Sequence, residues 1–280
     1  MKSSSFRSKK IITGIKYTIL CFYAATTLYP LIWVFLTSLK ADSEVYGNPF
    51  GLPRAWKFSN FKTVWETMKL YIYMTNSILY TCCALFIILL ITSMAAYVLA
   101  RTMKSRKLSL YFTIGIMVPF QSIVIPYIQL YRKINFYNTR YGVILSFVAI
   151  NLAFSIFILT AFMKTLPIEI EEAARIDGCG RVRTFFSIIL PVSKAGLSTV
   201  GIFAAVNCWN DFFVTMMTTS TEAIRTLNLA CYQLRASGDR ASQYGVMCAG
   251  AVILVLPILF VYITFQKQIV KGMVAGAVKG

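Results

Sequence analysis

Six apolar runs, each long enough to cross a bilayer, constrain this chain more than any other feature. They lie at 17–37 and, approximately, at 72–100, 108–131, 141–163, 197–217 and 246–266, each bounded by basic or turn residues. About 20 apolar residues in a helix cover the ~30 Å hydrocarbon layer. There every backbone N–H and C=O must find its partner inside the segment, which makes such runs helical. The sequence therefore predicts an all-α membrane protein with six transmembrane helices and both termini on one side. Composition agrees: 58% of residues are hydrophobic and 14% charged, against about a quarter charged in soluble domains.

The first run follows Lys2, Arg7, Lys9, Lys10 and Lys16. A basic start before an apolar core also describes a cleaved signal peptide. Here the core is too long and its end, with Pro30 and Trp33, lacks a small-x-small cleavage site, so it reads as an uncleaved helix. The organisation read from the sequence is a cytoplasmic N-terminus at 1–16, a first transmembrane helix at 17–37 and an extracellular or periplasmic loop at 38–70. A core of five helices at 71–266, with a long polar loop at 164–196, and a cytoplasmic tail at 267–280 complete it.

The net charge of +18 would suggest nucleic acid in a soluble protein. Here the basic residues fall between apolar spans, so the bilayer is the partner and nucleic acid is not. Basic residues are densest in the short N-terminal segment and in the second loop (Arg101, Lys104, Arg106, Lys107). Both termini are thereby placed in the cytoplasm, as is the 164–196 loop with Lys164, Arg175, Arg181, Arg183 and Lys194. The prolines within spans, Pro30, Pro119, Pro126 and Pro257, predict bent helices, either lining a pathway or as ordinary membrane-helix prolines.

Several chemistries are excluded. The chain has no histidine, which removes histidine triads, HExxH zinc sites and rhomboid-like proteolysis. It has no G-x-x-x-x-G-K-[ST] run and so no P-loop of its own. Seven cysteines, mostly inside apolar spans, have no metal spacing and read as small hydrophobes. No catalytic residue, metal ligand or cofactor of this chain is expected.

The polar stretch Glu171 to Leu197 carries the most chemistry. Glu169, Glu171 and Glu172 fall at the start of a helix, where its dipole favours carboxylates. Glu171 and Arg175 stand at i,i+4. Ile170, Ala173 and Ala174 share a narrow face that another body can approach closely, and Asp177-Gly178 ends the helix. Arg181 to Leu190 then predicts a second helix, basic on one side and apolar on the other, closing at Pro191. Spacing alone also fits an amphipathic hairpin lying on the membrane surface.

Glu172-Ala173-Ala174, three residues, Gly178, nine residues, Ile188, one residue and Leu190-Pro191 match the E-A-A-x3-G-x9-I-x-L-P signature of bacterial ABC importer permeases. Nearly the whole chain resembles the MalG-like carbohydrate branch of that family. Asn76–Arg101, Val118-Pro119-Phe120-Gln121 with Ile125-Pro126 and Asn138-Thr139, Trp209-Asn210-Asp211-Phe212 and Gly272–Gly280 carry the likeness. Cys179 and Ala195 depart from the residues usual there. The resemblance implies the type I ABC importer permease fold in the bacterial inner membrane. It also implies a coupling helix in which Glu172, Ala173, Ala174, Asp177 and Gly178 contact a separate ABC ATPase, supported by Ile188, Leu190 and Pro191. The implied partners are an ATPase dimer that holds ATP and Mg, a second homologous permease and an extracellular solute-binding protein.

Asp211 is the one acidic residue within an apolar run, with Asn151, Asn207 and Asn210 as polar companions. An intramembrane carboxylate marks a functional site by default. Asn151, Asn210 and Asp211 are pathway or gating candidates, with a buried hydrogen-bonding role for Asp211 favoured over contact with a sugar. Two rivals are an ABC permease for a non-sugar solute and an ion-coupled secondary transporter. The latter calls for internal repeats and several intramembrane ionisable groups.

Overall fold

The computed structural model describes residues 2–67, 69–102, 106–236 and 243–277. Lys104 of the second basic loop and Val278–Gly280 of the expected tail lie outside the described residues. Among the described residues there are helices, turns and loops but no strand.

Among the described residues four helices are long and apolar enough to span a membrane as single pieces: Ile12–Ser38, Leu70–Thr102, Arg140–Met163 and Tyr244–Gln266. Two expected spans are broken instead. The run at 108–131 is bent by 97° between Leu110–Met117 and Phe120–Lys133, at Val118-Pro119. Proline there has extended backbone (φ −68°, ψ 132°) and begins the next helix without needing an N–H partner. The run at 197–217 is preceded by a 74° bend between Arg181–Val192 and Lys194–Asn210, and it stops at Asn210 rather than continuing to 217. By length and composition the described residues hold up to six candidate spans if each bent pair counts as one. Pro30, Pro126 and Pro257 lie inside continuous helices.

The chain forms two units. One comprises residues 1–69 and 231–255. Its first helix, α1 (Lys2–Ser38), is continuous. The short helices α2 (Asp42–Gly47) and α3 (Ser59–Lys62) follow. Lys40, only 1% exposed, donates from Nζ to the carbonyls of Asn48 (3.0 Å) and Pro49 (3.3 Å). Asn60 Nδ2 donates to the carbonyls of Ser38 and Lys40, both at 2.9 Å. Gly245 N–H donates to Asp42 Oδ1 at 3.1 Å. A Cβ at Gly245 would stand 2.5 Å from the Lys40 carbonyl and 2.6 Å from Asn60 Nδ2, both already held in place. Gly245→Ala is therefore expected to destabilise this unit by about 1–3 kcal/mol, the usual range for overpacking. Thermal unfolding in detergent measures it, with Gly47→Ala, where a Cβ meets nothing within 4 Å, as the neutral control. Burial pushes the Cys231 thiol up to about 12, and its Sγ lies 3.8 Å from the Gly250 carbonyl.

The other unit comprises residues 70–230 and 256–280. Its helices are α4 (Leu70–Tyr97), α5 (Arg106–Met117), α6 (Phe120–Lys133), α7 (Arg140–Met163), α8 (Glu169–Ile176), α9 (Arg181–Thr184), α10 (Leu190–Val192), α11 (Lys194–Asn210) and α12 (Phe213–Thr218). It also holds the start of α13 (Leu227–Ala236) and most of α14 (Tyr244–Ala277), helices whose remaining residues belong to the first unit. On α4 most of the buried residues are small or polar (Asn76, Ser77, Thr81, Ala84, Thr92, Ser93, Ala96), with Leu70, Tyr80 and Ile88 buried beside them, while Ile78, Leu79, Phe86 and Met94 are exposed. This reversal of the soluble pattern is how membrane helices approach each other closely, since lipid solvates large apolar side chains as well as a core does. Two apolar clusters join α4, α7 and α11. One contains Tyr80, Ala84, Ile88, Phe147, Ala204 and Cys208; the other contains Ala96, Leu159, Met163, Val200 and, from the 164–196 loop, Ile189.

Candidate functional site

Two constellations on the second unit bear on function. The first is the loop between α7 and α11. α8 begins with Glu169, Glu171 and Glu172 in its first turn, as its dipole favours. It ends in a Schellman arrangement: Gly178 N–H bonds the Arg175 carbonyl at 3.0 Å and Cys179 N–H bonds the Ala174 carbonyl at 2.9 Å. Gly178 is left-handed at φ +75°, the position the sequence assigned to it. The expected Glu171–Arg175 pair gives way to another: Glu171 Oε1 lies 2.9 Å from Arg101 Nε, with both side chains nearly buried. Arg101 shows in the sequence only as a topology-setting charge at the end of an apolar run.

Of the docking candidates, Glu172, Ala173, Asp177 and Gly178 are exposed together on the outward side of α8. Ala174 is turned inward and is 2% exposed. The outward side also carries Ile176, 86% exposed, a bare apolar residue that motif spacing alone did not single out. The second helix does not close at Pro191. α9 passes into a π turn, Phe185–Ile189, and α10 continues through Pro191 to Val192. Leu190 N–H reaches back to the Phe185 carbonyl, and Pro191, with no N–H to place, follows without losing a bond. Ile189 is fully buried and Phe185 packs on Tyr97 at 5.2 Å, whereas Ile188 and Leu190 are half-buried and Pro191 is exposed.

The second constellation is a cavity of about 350 Å³ among α7, α11 and the start of α12. Asn151, Asn207, Asn210 and Asp211 line it, with the rings of Phe147 and Phe213 among its walls. Asn207 Nδ2 donates to Asn151 Oδ1 at 3.1 Å, and Asn151 Nδ2 donates to the Phe147 carbonyl at 2.8 Å. Asp211 ends α11 with extended backbone (φ −63°, ψ 131°). Its Oδ1 accepts from Val214 N–H at 3.2 Å, and its Oδ2 accepts from Thr215 N–H at 3.0 Å and Thr215 Oγ1 at 2.7 Å. A side-chain oxygen that takes the free N–H groups of a first turn starts a new helix, which is why the run stops at Asn210. The three pathway candidates, Asn151 on α7 and Asn210 and Asp211 at the end of α11, thus line one cavity with Asn207.

Residues 88–274, a range that includes both constellations, match the model of a family described as the binding-protein-dependent transport system inner membrane component. The chain belongs to this family. It is accordingly a multi-pass inner-membrane subunit of an ABC transporter and not itself an enzyme. The diacetylchitobiose uptake system permease protein NgcG of Streptomyces coelicolor is 33% identical, over 96% of this chain and 90% of its own length. The sulfoquinovosyl glycerol transport system permease protein SmoH of Agrobacterium fabrum is 31% identical, over 99% and 96%. The melibiose/raffinose/stachyose import permease protein MelC of Bacillus subtilis is 29% identical over the full length of both. A chain from the crystal structure of a bacterial ABC transporter involved in the import of the acidic polysaccharide alginate shares the fold. Its TM-score is 0.84 at 24% identity, over 93% of this chain and 97% of that one.

Proposed function

We propose that the chain is the permease subunit of an ATP-driven importer for a carbohydrate, a sugar or oligosaccharide, delivered by an extracellular binding protein. The observation that carries this reading is the pairing of a cavity with an exposed docking helix on one helical framework. Amide and carboxylate side chains beside aromatic rings are the chemistry that hydroxyl-rich rings bind through. The three relatives are named for carbohydrates or carbohydrate conjugates, which supports the same solute class.

The energy enters from another chain. Glu172, Ala173, Asp177 and Gly178 form the surface that seats in a separate ATPase, with Ile176 as its apolar contact. Ala174 fixes α8 to the body of the permease. Closure of two ATPases around ATP and Mg would draw two such helices together, one from this chain and one from a second, homologous permease. The bundle would then rock between inward- and outward-facing forms. Asn151, Asn207, Asn210 and Asp211 lie on the solute path, with Asp211 holding the cavity wall in shape.

The division of labour is tested by nucleotide binding. The purified chain is expected to show no saturable ATP binding, while membranes holding the chain with its ATPase take up labelled oligosaccharide only when ATP is supplied. Saturable binding to the chain alone, or uptake driven by an ion gradient without ATP, would overturn it.

A further inference from the structure

Arg101 lies in the π turn Val98–Thr102 that prolongs α4. Its side chain is 9% exposed and that of Glu171 is 5% exposed, far below the other carboxylates of the first turn of α8, which face solvent. Arg101 Nη2 donates to the Leu166 carbonyl at 2.7 Å, in the turn that follows α7. Its Nε stands 2.9 Å from Glu171 Oε1 without the alignment of a hydrogen bond, so charge attraction rather than a directed bond joins those atoms. Tyr97 Oη donates to Glu171 Oε2 over a long 3.4 Å. One guanidinium therefore joins three segments: the end of α4, the turn after α7 and the first turn of α8.

Little else holds α8. Of its eight residues only Glu171 and Ala174 are buried, and short turns flank it on both sides. The π turn further along is fixed differently, by Ile189 in the apolar cluster of α4, α7 and α11. Those three helices also build the apolar cluster beside the cavity, with Phe147 and Cys208 belonging to both.

We propose that Arg101 and Glu171 are positioning residues of the transport cycle. Their buried pair makes α8 turn as one body with the adjoining ends of α4 and α7. A displacement of α8 then reaches the cavity helices instead of being absorbed in the turns at 164–168 and 177–180. The fork of a guanidinium, which serves a carbonyl and a carboxylate at once, is what the position requires, and a lysine ammonium cannot reproduce it. This inference rests on the docking reading of α8.

The test has two readouts, both on Arg101→Glu, Glu171→Arg, the double reversal and Arg101→Lys. The first needs no ATPase: in a chain keeping Cys179 as its one cysteine, at the half-buried cap of α8, the rate of maleimide labelling reports the posture of that helix. Each single reversal leaves a buried charge facing its like and is expected to raise that rate about tenfold, with the double reversal returning most of it. The second is the ratio of ATP hydrolysed to solute moved in the complete transporter, expected to rise in the single reversals, recover in the double and be intermediate in Arg101→Lys. Unchanged labelling in the single reversals overturns the link. Faster labelling at an unchanged ratio overturns its role in transport, as does a fall in both activities at constant ratio. The docking reading is judged separately by Glu172→Lys on the exposed side of α8, which should alter the ratio without altering Cys179 labelling.

Discussion

Gly178→Asp is expected to leave the chain inserted and folded but to lower uptake about a hundredfold while the partner ATPase still hydrolyses ATP. A Cβ at Gly178 meets nothing within 4 Å, so no clash inside the permease is involved. The left-handed backbone at φ +75° costs a side chain about 1–2 kcal/mol, with aspartate among the residues that tolerate it best. Gly178→Ala carries that strain alone and should cost uptake no more than about tenfold. The difference between the two variants isolates the surface. Aspartate adds a second carboxylate beside Asp177 on the side proposed to enter the ATPase, and an unpaired charge at an interface costs several kcal/mol. Glu172→Lys reverses a charge on the same exposed side and should act alike. Uptake of labelled substrate and phosphate release, measured on the same vesicles, decide it. Normal transport by Gly178→Asp or Glu172→Lys would show that α8 does not dock there.

How much of this was legible beforehand differs by element. Runs of twenty apolar residues announce membrane helices whatever they pack against, so α4, α7 and the membrane part of α14 stand within a few residues of where they were expected. The end of α8 was equally legible, because a left-handed cap is a local event that glycine signals by itself. The breaks were harder. At Pro119 the sequence predicts a bent helix, and a proline by itself does not say that the bend reaches 97° and divides the run into two helices. At Asp211 a single carboxylate in an apolar run suggested a buried site. Its conversion of one span into two helices depends on which N–H groups lie within reach. The partner of Glu171 was the least legible. Arg175 is four residues away and Arg101 seventy, and only the packing of α4 on α7 brings Arg101 close. The packing of α11 on α7 likewise gathers Asn151 with Asn207, Asn210 and Asp211.

Asp211→Ala is expected to lower uptake at least tenfold and to loosen the cavity, and Asp211→Asn separates the two parts that a carboxylate can play there. Alanine removes the carboxylate that accepts from the first turn of α12, at Val214 N–H, Thr215 N–H and Thr215 Oγ1. Loss of a helix cap costs about 1–2 kcal/mol, and bonds to a charged acceptor bring the total toward 3 kcal/mol. α12 carries Phe213 in the cavity wall, and the Thr218 carbonyl at its far end accepts from Asn138 N–H at 2.8 Å, so fraying would spread beyond the cavity. Asparagine keeps one acceptor oxygen and most of the cap. If Asp211 serves to shape the wall, Asp211→Asn should retain uptake within about threefold and Thr215→Val, which removes one hydroxyl donor, should cost about 1 kcal/mol in thermal unfolding. Should asparagine be as damaging as alanine while unfolding at the wild-type temperature, the negative charge itself acts on the solute, and Asp211 is a contact rather than a support.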